Sequence, residues 1–248
     1  MAESNNRGRT VERSLDIVDY VSTVRSPVKL SQIARQTGLH LATTQRLAAT
    51  LVHRGYLRVQ DAGYTVGPSV LSLARAFTLQ DRLSVVSFPV LQGLTDATGL
   101  TSSLYVRTGD TRVLTCRVDA PHPMRYQLPI GQRLELTRGG GKVLLAYQSA
   151  EDGQAVEDEA ETTLADGRIQ TSEDLAGELA TVRSLGYHLS ISERHHGTVS
   201  LTAPIWSPDG VLCGVVNIVA HDDTLTGDQV MELRPHLMSA ARNIGEQM

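Results

Sequence analysis

Residues 30–67 carry the signals for short helices followed by a glycine-tipped hairpin, and this order of elements limits the fold more than any other feature. Two helices that cross closely need a small side chain at the crossing and a residue that tolerates positive φ in the turn. Ala34 and Gly38 meet these two needs, and Ser31 is predicted to cap the first helix of the pair. The pattern predicts a winged helix-turn-helix, in which one helix enters the major groove of DNA.

The second helix of this segment has two different faces. One is a buried stripe at helical spacing, formed by Thr44, Leu47, Ala48, Leu51 and Val52. The other combines short side chains with Gln45 and Arg46, which can make bidentate contacts to adenine or guanine. Its members are Ala42, Thr43, Gln45, Arg46, Ala49 and His53. The strands predicted next, residues 56–59 and 64–66, have the length of a wing.

The charge of the chain is unevenly distributed. Residues 1–60 contain 9 of the 23 Lys and Arg residues but only 4 of the 27 Asp and Glu residues. An ordinary helical hairpin with a solvated polar face is the alternative interpretation, and it would not need this asymmetry. A basic head on an acidic body favours a phosphate-binding module joined to a body that does not itself bind nucleic acid.

Length and composition favour two domains, since the chain has 248 residues and a hydrophobic content of 41%. Cys116 and Cys213 lie in apolar contexts without Cys-x-x-Cys spacing, so we expect buried thiols rather than metal ligands or a disulfide. No apolar run approaches the ~18 residues that a membrane-spanning helix needs. The sequence therefore predicts a cytoplasmic protein.

Helices and strands are mixed in the rest of the chain. Residues 11–24 have helical spacing, and residues 69–83 are predicted as a linker helix between the basic head and the acidic body. Strands are predicted at residues 102–107, 111–118, 187–192, 199–206 and 211–220, and further helices at 85–98, 173–185 and 226–247. Together with the hairpin turns, these elements predict an α+β domain built on an antiparallel sheet.

Several strings occur together and in a characteristic order. They are VERSLDIVDYV, LSQIARQTGL, TTQRLAATLVHRGYL and GYTVGPSVLSLA, then PHPMRYQLPIGQRLEL, GGGKVLLA, LATVRSLGY and SERHHG. In this combination the chain resembles the IclR family of bacterial transcriptional regulators over nearly its whole length. The resemblance implies a winged helix-turn-helix over residues 1–67, a linker helix over 68–83 and a GAF/PAS-like effector-binding domain over 84–248.

The resemblance also implies partners. They are a double-stranded DNA operator, a small organic acid as effector, aromatic acids included, and further copies of the chain in a homodimer or homotetramer. We predict no cofactor and no metal. Thr43, Gln45 and Arg46 are expected to read bases, and arginines elsewhere to contact phosphates. The predicted DNA contacts are Arg13, His40, Thr43, Thr44, Gln45, Arg46 and Arg58.

The effector contacts come from the resemblance, position by position. They are Tyr126, Gly139, Gly140, Ser200, Asn217 and Val219. Amides and hydroxyls in this set suit a carboxylate, and the backbone N–H groups of the glycine run are expected to be free to bind it. Ser190 falls near where the family can place an acidic ligand contact, so that contact is expected to differ. Asn217 and Ser200 have a second interpretation, in which they only satisfy neighbouring strands.

The glycine run itself invites a nucleotide-binding interpretation. Gly139-Gly140-Gly141-Lys142 ends in lysine as a phosphate-binding loop does. However, Leu136 stands where such a loop needs glycine, and Val143 stands where it needs a hydroxyl for the metal ion. The run therefore does not predict a nucleotide site.

Catalytic or metal chemistry has little support elsewhere. Glu193, His195 and His196 invite a zinc hypothesis, but adjacent histidines on a strand or loop point to opposite sides. We expect an exposed polar loop bordering the effector pocket. An enzyme with an accessory nucleic-acid module would need a catalytic dyad or a metal set, and a structural DNA-binding protein would not need so large a second domain. The sequence predicts a ligand-responsive DNA-binding regulator of a catabolic operon, and not an enzyme.

Overall fold

The computed structural model describes residues 2–121, 128–147 and 161–248. The chain divides into two compact units, Met1–Gln80 and Asp81–Met248. This division falls inside the segment 68–83 that was predicted as a linker helix. None of the helices within the described ranges is both long enough and apolar enough to cross a membrane.

The first unit consists of helices and one hairpin. Its elements are α1 (Ala2–Thr23), α2 (Leu30–Gln36), α3 (Leu41–His53), β1 (Leu57–Gln60), β2 (Gly63–Val66) and α4 (Ser69–Gln80). The two strands pair antiparallel, with Val59 opposite Tyr64. The backbone of Val28 also bonds to that of Tyr64, which fixes the hairpin to the segment before α2. The predicted winged helix-turn-helix is confirmed.

A small apolar core holds the first unit together. Ile17 and Val21 of α1 pack with Ile33 of α2, Leu47 of α3 and Leu57 of β1, and all five are almost inaccessible to solvent. Full burial of one such side chain contributes roughly 1.5 to 3 kcal/mol. Burial of the apolar residues that recur at helical spacing therefore determines which face of each helix is turned toward the core.

The turn between α2 and α3 depends on Gly38, whose φ is +66°. The start of α2 differs from the prediction. The helix begins at Leu30, where the Gln32 side chain accepts a hydrogen bond from the Lys29 N–H at 2.9 Å. The prediction of Ser31 as the cap is wrong, because Gln32 satisfies the preceding N–H group from inside the first turn.

The second unit is an α+β domain. Its elements are α5 (Arg82–Thr98), β3 (Thr101–Thr108), β4 (Thr111–Val118), β5 (Arg133–Glu135), α6 (Gly141–Ala146), β6 (Thr162–Thr163), β7 (Ile169–Gln170), α7 (Ser172–Leu185), β8 (His188–Ile191), β9 (Thr198–Trp206), β10 (Leu212–His221), α8 (Gly227–Glu232) and α9 (Arg234–Gly245). The main sheet has the strand order β5-β4-β3-β10-β9-β8 with antiparallel pairing throughout. The predicted antiparallel α+β fold is confirmed.

Each face of the main sheet carries an apolar core. On one face, Leu104, Leu201 and Val216 belong to the core that includes residues of α5 and α9. On the other, Tyr105 and Val215 belong to the core that includes residues of α6 and α7. Strand residues alternate between faces, so residues two apart share a face. Ser103, two residues before Tyr105, and Asn217, two residues after Val215, therefore lie on this second face, next to its apolar core. This face is therefore apolar at one end and polar at the other.

A bulge in β4 gives that polar end two arginines. Tyr105 pairs with Leu114 but Leu104 pairs with Cys116, so one residue of β4 is extra at this point. A bulge shifts the alternation by one residue. Consequently Arg112 and Arg117, which are five positions apart in the sequence, lie on the same face of the sheet.

Several predicted helices have different limits in the structure. The first runs from Ala2 to Thr23 rather than over residues 11–24. The linker helix ends at Gln80, because the Asp81 carboxylate accepts a hydrogen bond from the Ser84 N–H at 2.9 Å and caps a new helix. The segment 226–247 contains both α8 and α9, and a proline in the first turn of α9 marks the break.

Candidate DNA-binding face and effector cavity

The exposed face of α3 carries the groups that the sequence assigns to DNA bases. Gln45 and Arg46 are exposed, and Thr43 is half-buried next to them in the helix. Ala42 and Ala49 are also exposed and place only methyl groups on this face. The face can therefore approach base edges closely and present amide, guanidinium and hydroxyl groups to them.

Thr44 does not belong to this face. Its side chain is fully buried, and its hydroxyl donates to the carbonyl oxygen of His40 at 3.2 Å. Successive residues of a helix are about 100° apart around its axis, so a neighbour in sequence need not share a surface. The prediction that Thr44 contacts DNA is wrong, because helical spacing places it in the buried stripe with Leu47 and Ala48.

The other predicted DNA contacts lie on other parts of the same unit. His40 is exposed directly before α3, Arg13 is half-buried on α1, and Arg58 is exposed on β1. The Nε of Arg58 donates to Thr65 Oγ1 at 3.1 Å, which orients its guanidinium along the hairpin. The contact of Arg13 or Arg58 to phosphates, and the place of His40 close to the bases, remain predictions.

A cavity of about 60 Å³ lies at the polar end of the second sheet face. Five of the six predicted effector residues line it, namely Gly139, Gly140, Ser200, Asn217 and Val219. Pairing of β9 with β10 brings two of them together, since Val219 stands opposite Ser200. Tyr126 lies outside the described residues. Ser190 of β8 also lines the cavity.

The glycine loop approaches the sheet very closely. Gly139 has a φ of +58°, which favours glycine. A Cβ atom added to Gly140 would lie 2.5 Å from Thr202 Oγ1 and 2.6 Å from a terminal nitrogen of Arg112. Since a side chain at Gly140 would have to displace one of these groups, the glycines allow the loop to form part of the cavity wall.

Most N–H groups of the glycine run are already bonded. The Gly139 N–H donates to Glu193 Oε2 at 2.7 Å, and those of Gly141 and Lys142 donate to carbonyls of the preceding turn at 3.2 and 3.0 Å. These bonds do not use the N–H of Gly140. The expectation that several N–H groups of this run are free to bind the carboxylate of an effector is therefore wrong. They are hydrogen-bonded to the buried carboxylate of Glu193 and to carbonyl groups of the turn before α6.

Lys142 lies in a buried charged network. Its side chain is inaccessible to solvent, and its Nζ lies 2.7 Å from Glu193 Oε2 and also bonds to Glu178. The second oxygen of Glu193 lies 2.9 Å from His188 Nε2. Glu193 is 4% exposed, so the expectation that it belongs to an exposed loop is wrong. It links Lys142, His188 and the backbone of Gly139.

The network keeps Glu193 charged. Burial alone would raise the pKa of Glu193, but the hydrogen bond and charge of His188 and the ammonium of Lys142 outweigh burial and hold this pKa at about 2. Ligand atoms of Glu178, His188 and Glu193 lie within 4.8 Å of one another, a grouping that a metal ion can use. Here the Lys142 ammonium already contacts both carboxylates, and His195 and His196 are not members of the group.

Two family models match the chain. The model of the bacterial transcriptional regulator IclR C-terminal domain matches residues 79–246, and that of the IclR helix-turn-helix domain matches residues 10–61. The chain belongs to the IclR family. The resemblance seen in the sequence is confirmed, and with it a DNA-binding helix-turn-helix and an effector-binding domain.

Relatives in the IclR family match over nearly the full length. The HTH-type transcriptional regulator BhcR of Paracoccus denitrificans (strain Pd 1222) is 26% identical over 247 residues, which cover 98% of this chain and 88% of BhcR. An IclR family transcriptional regulator from Brucella abortus has a crystal structure with a TM-score of 0.83 at 22% identity, covering 97% of this chain and 92% of that chain. An IclR homolog from Microbacterium hydrocarbonoxydans, complexed with 4-hydroxybenzoate, has a TM-score of 0.76 at 20% identity, covering 96% and 98%.

Membership of the IclR family makes the chain a ligand-responsive transcriptional regulator and not an enzyme. Two features of its effector-binding domain were missed in the sequence. Arg112 lines the cavity. Its sequence signal was its position two residues before the buried Leu114 of β4, because residues two apart in a strand lie on the same face. The Lys142–Glu193 pair had no such signal, because the two residues are far apart in the sequence.

Proposed function

We propose that this regulator controls a catabolic operon and that a small organic acid, bound in the cavity, changes its affinity for the DNA operator. The observation that carries the proposal is the grouping of predicted effector residues around one cavity, where hydroxyl and amide groups accompany the apolar side chain of Val219. Such a mixture can orient a small polar ligand. The 4-hydroxybenzoate bound by the Microbacterium homolog supports an acid, aromatic acids included. The regulator acts in the cytoplasm, where its operator lies.

On the DNA side, we assign base reading to Thr43, Gln45 and Arg46, with Arg13 and Arg58 on phosphates. The exposure of Gln45 and Arg46 on one face of α3 supports the assignment. The excess of basic residues in residues 1–60 supports it as well, because phosphate contacts supply much of the affinity for DNA.

We further propose a homodimer or a homotetramer. Leu71, Leu73, Phe77 and Leu79 of α4 are between 46% and 70% exposed in the single chain, and exposed apolar side chains grouped in this way indicate a protein contact. A dimer would place two copies of α3 on half-sites about one helical turn, or a multiple of it, apart. An effector that alters the placement of the two heads would change their fit to these half-sites.

Replacing Arg46 by alanine is expected to weaken operator binding by about 1 to 3 kcal/mol, because a bidentate contact to a base is lost. A gel-shift titration measures this with a duplex that the wild-type protein has selected from a random pool. Arg242→Ala is the matched control, since Arg242 is an exposed arginine of the effector-binding domain outside the predicted contacts. Unchanged affinity for Arg46→Ala, or an equal loss in both variants, would reject the role of Arg46.

Replacing Asn217 by alanine is expected to weaken effector binding by about 1 to 2 kcal/mol, because a polar partner of the ligand is lost. The ligand for this titration is an acid that raises the melting temperature of the wild-type protein in a thermal-shift screen. Isothermal titration calorimetry then gives the affinities of the two proteins. If no acid of the screen binds, the proposed effector class is wrong.

Thr202→Val is the control for Asn217, because the Asn217 amide also serves the strands. Its Nδ2 donates to Thr202 Oγ1 at 2.8 Å and to the Leu201 carbonyl at 3.4 Å. The valine removes the first of these bonds and leaves Asn217 in the cavity wall. Should Thr202→Val weaken binding as much as Asn217→Ala does, Asn217 only satisfies its strand neighbours and our assignment fails.

A further inference from the structure

The cavity contains a buried cation, Arg112, that is not paired with a carboxylate, although the charges of Glu135 and Glu193 act on it. Arg112 is 4% exposed, and no carboxylate of the described residues forms an ion pair with it. One terminal nitrogen donates to the Arg138 carbonyl at 3.3 Å, and Cζ lies 4.8 Å from the centre of the Tyr105 ring. Its Nε has no hydrogen-bond partner within the described ranges. Burial lowers the pKa of Arg112 to about 10, which leaves it charged at neutral pH.

The acidic groups around the cavity are bonded to other cations. Glu193 is held by the Lys142 network, and Glu135 lies 3.5 Å from the Nε of another arginine. Arg117, which also lines the cavity, is bound to Asp119. Arg194 also lines the cavity but is only half-buried, so Arg112 is the almost fully buried cation there that an entering anion can neutralise. A buried charge is unfavourable without a counter-charge, and a guanidinium offers a carboxylate two parallel hydrogen bonds.

The wall of the cavity is rich in hydroxyl groups. Ser103, Ser190 and Ser200 line it, and their hydroxyls make no hydrogen bond to other residues in the part of the chain that the structure describes. The Asn217 amide nitrogen is bonded to Thr202, which leaves its oxygen for the cavity. Buried polar groups normally have partners, and a hydroxyl can both donate and accept. This wall matches a ligand with hydroxyl groups along its chain better than it matches a hydrocarbon ring.

We propose that the cavity binds a short hydroxylated aliphatic carboxylic acid, with its carboxylate on Arg112 and its hydroxyl groups on Ser103, Ser190 and Ser200. This inference rests on the proposed function, because it names the ligand class of the same cavity. It assigns recognition of the charge to a buried side chain rather than to the glycine loop. A volume of about 60 Å³ favours a short chain, since one water molecule needs roughly 10 to 15 Å³ of such space.

Titration calorimetry on the full chain tests the ligand class. The probes are glycolate, D-glycerate and D-erythronate, each compared with the unsubstituted acid of the same length, acetate, propionate or butanoate. Benzoate represents aromatic acids, and glycerol lacks the carboxylate. At least one hydroxy acid is expected to bind at least about tenfold more tightly than its parent acid. The reason is that a ligand without hydroxyl groups would leave the serine hydroxyls of the cavity wall without hydrogen-bond partners. Benzoate or a parent acid that binds as tightly as the best hydroxy acid overturns the proposal, as does the failure of all three hydroxy acids to bind.

Arg112→Met tests the carboxylate contact and is expected to weaken binding of the best hydroxy acid at least about thirtyfold, because a buried charge partner is lost. Without ligand, this variant is expected to unfold at or above the wild-type temperature, because an uncompensated buried charge is removed. Arg112→Lys keeps the charge but not the planar fork, and should weaken binding about tenfold. Unweakened binding in either variant, or a strong loss of stability in ligand-free Arg112→Met, shows that Arg112 is structural and rejects its role.

The wider acid screen separates this inference from the proposed function. If an acid outside the hydroxylated series binds and changes operator affinity while glycolate, D-glycerate and D-erythronate do not bind, the proposed function stands and the ligand class is wrong. If no acid binds, both are wrong.

Discussion

Replacing Lys142 by methionine is expected to lower the free energy of unfolding of the effector-binding domain by about 3 to 5 kcal/mol, because it breaks a buried ion pair and leaves one partner behind. Methionine keeps much of the apolar length but removes the ammonium group that contacts Glu178 and Glu193. Glu193 would then be buried either charged without that partner or protonated, and both states are unfavourable. Urea unfolding of the full chain, followed by circular dichroism, measures the loss.

Lys29→Met is the matched control, because Lys29 is exposed in the first unit and its replacement is expected to cost less than about 0.5 kcal/mol. The double variant Lys142→Met with Glu193→Gln tests the cause. Once the carboxylate is neutral, loss of the lysine should cost less, so the double variant should be less destabilised than the sum of the two single variants. A loss equal to that sum would show that the two charges do not act on each other.

Local sequence patterns predicted those parts of the fold whose cause lies within a few residues. The turn at Gly38 follows from the need for positive φ, and the buried stripe of α3 follows from the spacing of Leu47 and Ala48. The strand limits of β4 were predicted because turn residues precede it and apolar residues alternate within it. In each case the residues that are close in the sequence are enough to determine the local conformation.

Helix ends were harder to predict, because a single side chain can set them. A carboxylate at Asp81 caps α5 and divides the predicted linker helix in two. An aspartate in the interior of a helix only makes that helix less stable. The pattern of apolar residues therefore does not show whether Asp81 lies within one helix or caps the start of another. Gln32 likewise replaced Ser31 as the residue that satisfies the start of α2.

The candidate site was predicted only where the family resemblance supplied it. Gly139, Asn217 and Val219 line one cavity, yet the reason first given for the glycine run was wrong, because the Gly139 N–H is bonded to Glu193. That bond crosses a long stretch of sequence, and so does the contact of the glycine loop with Arg112. Contacts of this kind depend on how β4, α6 and the loop after β8 meet in space. Patterns within a single sequence do not show which distant segments contact each other.

The stability of the effector-binding domain is expected to fall as the pH drops from about 4.5 to about 2, with Glu193 as a main cause. Its pKa is held at about 2 in the folded domain, against an ordinary value of 4.5. A carboxyl group whose pKa is lowered by folding stabilises the fold above its unfolded pKa and loses this contribution as the pH falls through the folded pKa. For Glu193 the contribution at neutral pH is about 3 kcal/mol.

Glu193→Gln isolates this contribution, because glutamine has a similar shape and does not titrate. The variant should be less stable than the wild type at pH 6, and the difference should shrink steadily below pH 4.5, since protonated Glu193 and glutamine are both neutral. Urea unfolding at a series of pH values gives the two curves, with exposed Asp96→Asn as the control that keeps the wild-type acid dependence. A difference between wild type and Glu193→Gln that stays constant from pH 6 to the lowest pH at which both fold would mean that Glu193 titrates normally. The charged network would then not favour the ionised form of Glu193 over the neutral form, and the bond of Glu193 to the Gly139 N–H would contribute no pH-dependent stability.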